Sequence, residues 1–218
     1  MKEIEQLVEV GRHLLSNQLA WGTSGNMSAR VNRDVMTITA SGTHMGNLKE
    51  DDFVECEIFT GKVTGTRKAS KETPMHTGIY KHREDVGAIL HSSPFYATMF
   101  ACSDVPIESK LFVESMYYLE NIAYVDYFHP GTQALADAIA EKALYADIIL
   151  MRHHGVVVFD KTISEALVRL ETLEMVCRMI LQGKASGIEL NMIPSKIVTD
   201  FLEKSGYRQR RLPPKNIK

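Results

Sequence analysis

Ser70-Lys71-Glu72-Thr73-Pro74-Met75-His76, followed by Val86-Gly87-Ala88-Ile89-Leu90-His91-Ser92-Ser93, reads as a loop bearing a carboxylate, a helix opened by proline and a strand whose end delivers a histidine. Proline is tolerated in the first turn of a helix, where its missing N–H would have had no partner, so Glu72 falls just outside the helix. Val86 to Leu90 is continuously apolar, the pattern of a strand covered on both faces. His91 therefore arrives on a rigid core element, where a ligand or catalytic group is held most tightly.

The surrounding chain is ordinary in composition. With 44% hydrophobic and 24% charged residues over 218 positions, it has the length for one substantial core, and 1–218 reads as a single domain with a basic tail from about residue 206. A net charge of −2 offers no basic face for nucleic acid. Three cysteines, Cys56, Cys102 and Cys177, have neither the parity of a disulfide framework nor zinc-site spacing, which fits a reducing, cytoplasmic location. No run approaches the ~18 uninterrupted apolar residues of a membrane span, and the acidic start Met1-Lys2-Glu3-Ile4-Glu5 is no export signal. Neither a membrane nor a nucleic acid is expected as a partner.

Along the chain, Ile4, Leu7, Val8, Gly11, Leu14 and Leu15 give residues 2–19 a helical apolar face. Trp21-Gly22-Thr23-Ser24-Gly25-Asn26-Met27-Ser28 follows as a small-residue loop before a short strand. Its exposed N–H groups can cradle an anion, although an isolated Gly-x-x-Gly is first of all a tight turn. It is not the dinucleotide fingerprint, since no helix opens on a Gly-x-Gly-x-x-Gly. Val35 to Thr39 is a strand ending in a second loop of this kind, Ala40-Ser41-Gly42-Thr43, and residues 51–59 form a further strand turned by Thr60-Gly61-Lys62.

Beyond Ser93, a helix is expected over 94–101, a strand over 124–127, a helix over 133–145 capped by Thr132, and a strand over 147–151. Arg152-His153-His154-Gly155 then leads into a strand over 156–159. Thr162 and Glu165 make a capping box for a helix running to Gln182 and closed by Gly183, and a last helix covers 195–204. An antiparallel early half followed by alternating elements predicts an α/β fold in layers rather than a pure sandwich.

Taken together, Gly22 to Ser28, Ser41-Gly42, Ser70-Lys71-Glu72, His91 and the His153-His154-Gly155 turn occur in the order and approximate spacing of the class II aldolase/adducin family. The resemblance runs from about residue 4 to 205. It implies a three-layer αβα fold around a central, largely antiparallel mixed sheet, and a metal-dependent aldolase cleaving a phosphorylated ketose, such as L-fuculose 1-phosphate, through a metal-stabilised enediolate. It further implies Thr23, Gly25, Asn26, Ser41, Gly42 and Ser70 as phosphate-binding residues, Glu72 as the acid/base carboxylate that also touches the metal, and His91 and His154 as ligands of a divalent ion, zinc first, manganese or cobalt as alternatives. A homo-oligomer, a tetramer, is implied as well. The same scaffold supports epimerase, dehydratase and decarboxylase chemistry, and a metal-free, adducin-like interaction module is the non-enzymatic alternative.

One position departs from the pattern. Family members commonly carry His-x-His here, whereas this chain reads His91-Ser92-Ser93, and a serine hydroxyl is a poor zinc ligand. Glu72, His91 and His154 remain compatible with a divalent ion. His129 is the candidate replacement if its loop folds back, with His44 a weaker one. His76 reads as a structural hydrogen bonder and His153 as a turn residue, while Tyr117, Tyr118 and Tyr207 are options for a tyrosine acid.

Overall fold

The computed structural model describes residues 2–207 and 210. Residues 208, 209 and 211 of the expected basic tail lie outside the described residues. The elements are α1 (Lys2–Ser16), β1 (Asn26–Arg30), β2 (Val35–Thr39), β3 (Phe53–Glu57), β4 (Val63–Thr64), α2 (Thr73–His82), β5 (Ala88–Ser92), α3 (Phe95–Ala101), α4 (Val113–Tyr118), β6 (Ile122–Val125), α5 (Gln133–Ala143), β7 (Ile148–Met151), β8 (Gly155–Asp160), α6 (Ile163–Ser186) and α7 (Ser195–Lys204). The strands form one eight-stranded sheet in the order β4-β3-β2-β1-β5-β8-β7-β6. Every pairing is antiparallel except β6 with β7, which are joined through α5.

Two apolar cores cover the two faces, so the expected three layers are present. On one face Leu90, Val156 and Val158 meet α1, α3 and α6 through Leu14, Phe100 and Leu173. On the other Ile89, Val157 and Phe159 meet α2 and α5 through Ile79 and Ile139. Alternation along β5 and β8 sends successive side chains to opposite cores, which is why these central strands are apolar throughout.

The antiparallel order sets where loops gather. Asn26 pairs with His91 and His91 with Val157, while Met151 pairs with Gly155. The start of β1, the end of β5 and the β7–β8 turn therefore lie along one edge of the sheet. The end of β2 joins them through a bridge between Ala40 and Ala69 and bonds from Ser41 N–H to the Lys68 carbonyl and from Ser70 N–H to that of Thr39.

Some boundaries differ from those expected. The strand over 51–59 begins only at Phe53, because Asp52 accepts the Lys49 N–H and holds residues 50–52 in a helical turn. β5 is shifted to Ala88–Ser92, which puts His91 inside the strand rather than just beyond it, and β6 begins and ends two residues before the expected 124–127. Gly183 does not close α6. The chain after the helix folds back over it, with the Ile188 carbonyl and the Leu190 side chain in the space a Cβ would need, and Gly187, at φ 72°, is the cap. The short helix α4 was not expected at all.

Candidate active site

Glu72 is the N-cap of α2 but makes no side-chain bond to the helix it caps. Its carboxylate faces β5 and the β7–β8 turn instead. Oε2 lies 3.1 Å from His91 Nε2, and Oε1 lies 3.4 Å from His154 Nε2. The ligand atoms of Glu72, His91 and His154 all fall within 4.8 Å of one another. The two imidazoles meet edge to face, with centroids 4.9 Å apart.

Backbone geometry fixes each ring. His91 Nδ1 is 2.8 Å from the Val156 carbonyl, which can only accept, so Nδ1 carries a hydrogen and Nε2 faces Glu72. His153 adopts a left-handed conformation, φ 57°, and lets the chain reverse between β7 and β8 so that His154 points back toward β5. Gly155 must be glycine because a Cβ there would sit 2.7 Å from the Ser92 carbonyl. Gly25 is under the same constraint, at φ 94° with the His91 carbonyl 2.4 Å from its would-be Cβ.

Burial opposes charge on all three groups, yet they divide unequally. Burial would raise the Glu72 carboxyl, but the His91 charge and hydrogen bond, the Asn26 amide and His154 outweigh it and hold the group well below the usual carboxylate range. Burial would lower His91, but Glu72 and the Val156 carbonyl push it up. His154 has no such hydrogen bond and faces His91, so burial and repulsion push it down. Glu72 Oε1 and His154 Nδ1 are buried without a hydrogen-bond partner. An ionised carboxylate and two imidazoles, converging and underpaired, fit a divalent metal ion.

The expected alternatives stay apart from this group. Ser93 is buried beside it, but its hydroxyl bonds Ser24 Oγ at 2.9 Å. His129 is exposed and does not fold back, because Thr132, which caps α5, ties its own N–H and hydroxyl to the His129 carbonyl and leaves the imidazole on the Tyr127 hydroxyl at 3.1 Å. His44 and His153 are exposed as well. Tyr118 is buried with its hydroxyl on Glu165, and Tyr117 packs on Tyr207.

The small-residue loops border the same edge of the sheet. Thr23, Ser41 and Gly42 are exposed and Gly25 and Ser70 half-buried. The N–H groups of Ser41 and Ser70 are already spent on main-chain carbonyls, which leaves their hydroxyls as donors. Asn26, expected alongside them, is buried and its amide is committed elsewhere, Nδ2 to Glu72 Oε2 at 2.7 Å and Oδ1 to His76 Nε2 at 2.6 Å. Beside Ser93 opens a cleft of about 640 Å³ lined by Leu15, Trp21, Phe95, Met99 and Cys102.

His76 is fully buried and, as expected, hydrogen-bonded rather than part of the ligand group. Burial, with the His91 charge beside it, lowers its pKa to about 3 against the pull of Glu72. The unfolded chain then takes up a proton that the folded chain refuses between the ordinary value of about 6.5 and about 3, so the stability this neutral imidazole contributes is lost as pH falls through that window. Chemical denaturation at stepped pH should give a slope approaching about 1.4 kcal/mol per pH unit more than in His76→Gln. Equal slopes would refute a neutral buried His76.

Comparison with known proteins decides the family. The family model described as Class II Aldolase and Adducin N-terminal domain matches residues 5–181. The chain belongs to this family. It is 32% identical over 176 residues to an L-fuculose phosphate aldolase of Methanococcus maripaludis, a match covering 81% of this chain and 94% of that protein. It is 27% identical over 187 residues to a 3-oxo-tetronate 4-phosphate decarboxylase of Haemophilus influenzae, covering 83% of this chain and 88% of that one. Among solved structures, an L-fuculose 1-phosphate aldolase superposes with a TM-score of 0.82 at 28% identity, covering 94% of this chain and 97% of the other. The fold is thus that of the class II aldolases. Among the described residues, no helix is long and apolar enough to cross a membrane.

Proposed function

We propose that this chain is a metal-dependent aldolase cleaving a phosphorylated ketose such as L-fuculose 1-phosphate. Glu72, His91 and His154 would hold the divalent ion, zinc first and manganese or cobalt as alternatives. The observation that carries the reading is the unpartnered Oε1 of a carboxylate otherwise kept ionised between two imidazoles. When bound, the metal supplies Lewis-acid polarisation of substrate oxygens.

The chain's own residues supply proton transfer and binding. Oε2 of Glu72 accepts from the Asn26 amide, so Oε1 is the oxygen left to take a proton from the substrate hydroxyl as the carbon–carbon bond breaks, and to return one to the carbon left behind. An aldolase working this way needs no lysine Schiff base. The decarboxylase relative marks the competing chemistry. Release of dihydroxyacetone phosphate from a panel of ketose 1-phosphates supports the aldolase reading, and carbon dioxide release from a 3-oxo-tetronate 4-phosphate with no aldol cleavage would replace it.

Phosphate is the anchor in this reading. Thr23, Gly25, Ser41, Gly42 and Ser70 offer neutral donors to a dianion, and hydrogen bonds to a charged acceptor are stronger than neutral ones. Losing one such bond is worth about 1.5–3 kcal/mol, so Thr23→Val should raise KM by roughly tenfold or more while kcat changes little. Equal turnover of phosphorylated and free ketoses would contradict the assignment.

The reading extends to a homotetramer in a reducing cytoplasm. Trp21, Phe95 and Met99, exposed at the mouth of the cleft, support a neighbouring subunit there, and the free Cys56, Cys102 and Cys177 support the compartment.

A further inference from the structure

We propose that His76, Asn26 and Ser28 are positioning residues for Glu72, forming with Tyr80 a one-way hydrogen-bond chain that fixes which carboxylate oxygen is presented to substrate. This rests on the aldolase reading for its catalytic meaning. Its geometry rests on nothing but the contact between a strand and a helix.

Asn26, Ser28 and Arg30 are alternate residues of β1 and share one face of it. Glu72, His76 and Tyr80 are four apart at and beyond the start of α2 and share one face of that helix. The two rows interleave. Asn26 Nδ2 reaches Glu72 Oε2 at 2.7 Å, His76 Nε2 reaches Asn26 Oδ1 at 2.6 Å, and Ser28 Oγ lies 2.7 Å from His76 Nδ1 and 3.1 Å from the Tyr80 hydroxyl. The Arg30 guanidinium closes the row, 4.6 Å from the centre of the Tyr80 ring.

Donors and acceptors fit in one direction only. An ionised carboxylate accepts, so Asn26 must turn its NH2 to Glu72 and its oxygen to His76. His76 Nε2 then carries the hydrogen, and in a neutral imidazole Nδ1 must accept, from the Ser28 hydroxyl. Ser28 in turn accepts from Tyr80. Every donor points toward Glu72, and a chain polarised this way strengthens its terminal bond. Oε2 is thereby pinned by Asn26, and Oε1 is left turned toward His154.

The surroundings argue that this is more than filling. Asn26, Ser28, His76 and Tyr80 are each at most 5% exposed and adjoin an apolar core that includes Met75, Ile79 and Ile89. A fully buried polar chain is costly unless every member is satisfied, and here satisfaction runs out at one place, the Oε1 atom of the carboxylate.

The kinetic test uses the metal-loaded full chain and three variants. His76→Leu should lower kcat by about 10–100-fold, the scale on which the partners of an active-site ligand act, with KM nearly unchanged. His76→Gln, whose amide can donate to Asn26 and accept from Ser28, should recover most of that loss, and Tyr80→Phe should cost least because it removes only the far donor. A purely structural role predicts instead that kcat per folded molecule stays at the wild-type value and that Gln is no better than Leu; that result would overturn the proposal. Independently of turnover, nitrogen-15 NMR of the wild-type imidazoles should find His76 neutral with hydrogen on Nε2, and that resonance should move in Glu72→Gln. A His76 with hydrogen on Nδ1, or one blind to Glu72→Gln, would refute the chain even if no ketose phosphate is cleaved, whereas the expected spectrum in a protein without aldolase activity would sink the functional reading alone.

Discussion

Glu72→Gln should leave the fold intact and lower kcat by about 10²–10⁴, the usual cost of removing a general acid/base. The fold survives because the amide keeps the size and planarity of the carboxylate, and Glu72 makes no capping bond to α2 that could be lost. An oxygen at the Oε2 position still accepts from Asn26, whose bond spans 2.7 Å in the wild type. What disappears is the ability to hold a proton at Oε1, together with the negative charge that pushes His91 up. Steady-state kinetics beside thermal melts check it. A variant with activity within tenfold of wild type would remove Glu72 from the mechanism.

The second large effect is on metal affinity. His154→Ala should weaken divalent-ion binding by orders of magnitude, since it deletes one of the three converging side chains of the proposed site and leaves Glu72 Oε1 facing a void. Ser93→His should act in the opposite direction. The Ser93 hydroxyl is engaged with Ser24 and is a weak ligand in any case, so an imidazole on the same buried segment should tighten binding. His129→Ala should change nothing, because that imidazole is exposed and bonded to Tyr127. Competition against a chromogenic chelator ranks the three variants, and loss of metal in His129→Ala would show that its loop closes over the site.

Much of this arrangement is legible in the sequence. Pro74 beside an apolar strand placed Glu72 outside a helix and His91 on a core element, and the antiparallel order explains why the Gly22, Ser41 and Ser70 loops share an edge with both. Boundaries were less legible where side chains compete with the backbone. Asp52 diverted residues 50–52 into a turn, and tertiary contact kept Gly183 inside a helix it was expected to end. The inward packing of the Asn26 amide was hidden for another reason. In a small-residue loop it looks like an anion donor, and only the register of β1 against α2 turns its amide inward to Glu72 and His76. The clue lay in two spacings, every second residue from Asn26 to Ser28 and every fourth from Glu72 to Tyr80, which carry meaning only once strand and helix are known to pack together. The signal for His129 lay in Thr132, legible in the sequence as the cap of the helix over 133–145: the hydroxyl that caps α5 also ties back to the His129 carbonyl and holds that loop at the surface.

Glu72, His91 and His154 are proposed to hold one divalent ion per chain. Calorimetric titration of zinc into the metal-free wild-type protein tests it most directly. The expected result is a single site per chain, with proton release at pH values where His91 is still charged, because a cation must displace the proton that Glu72 stabilises there. Absence of zinc or manganese binding in both wild type and Ser93→His would contradict it, and would make the chain a metal-free relative that keeps the fold for interaction alone.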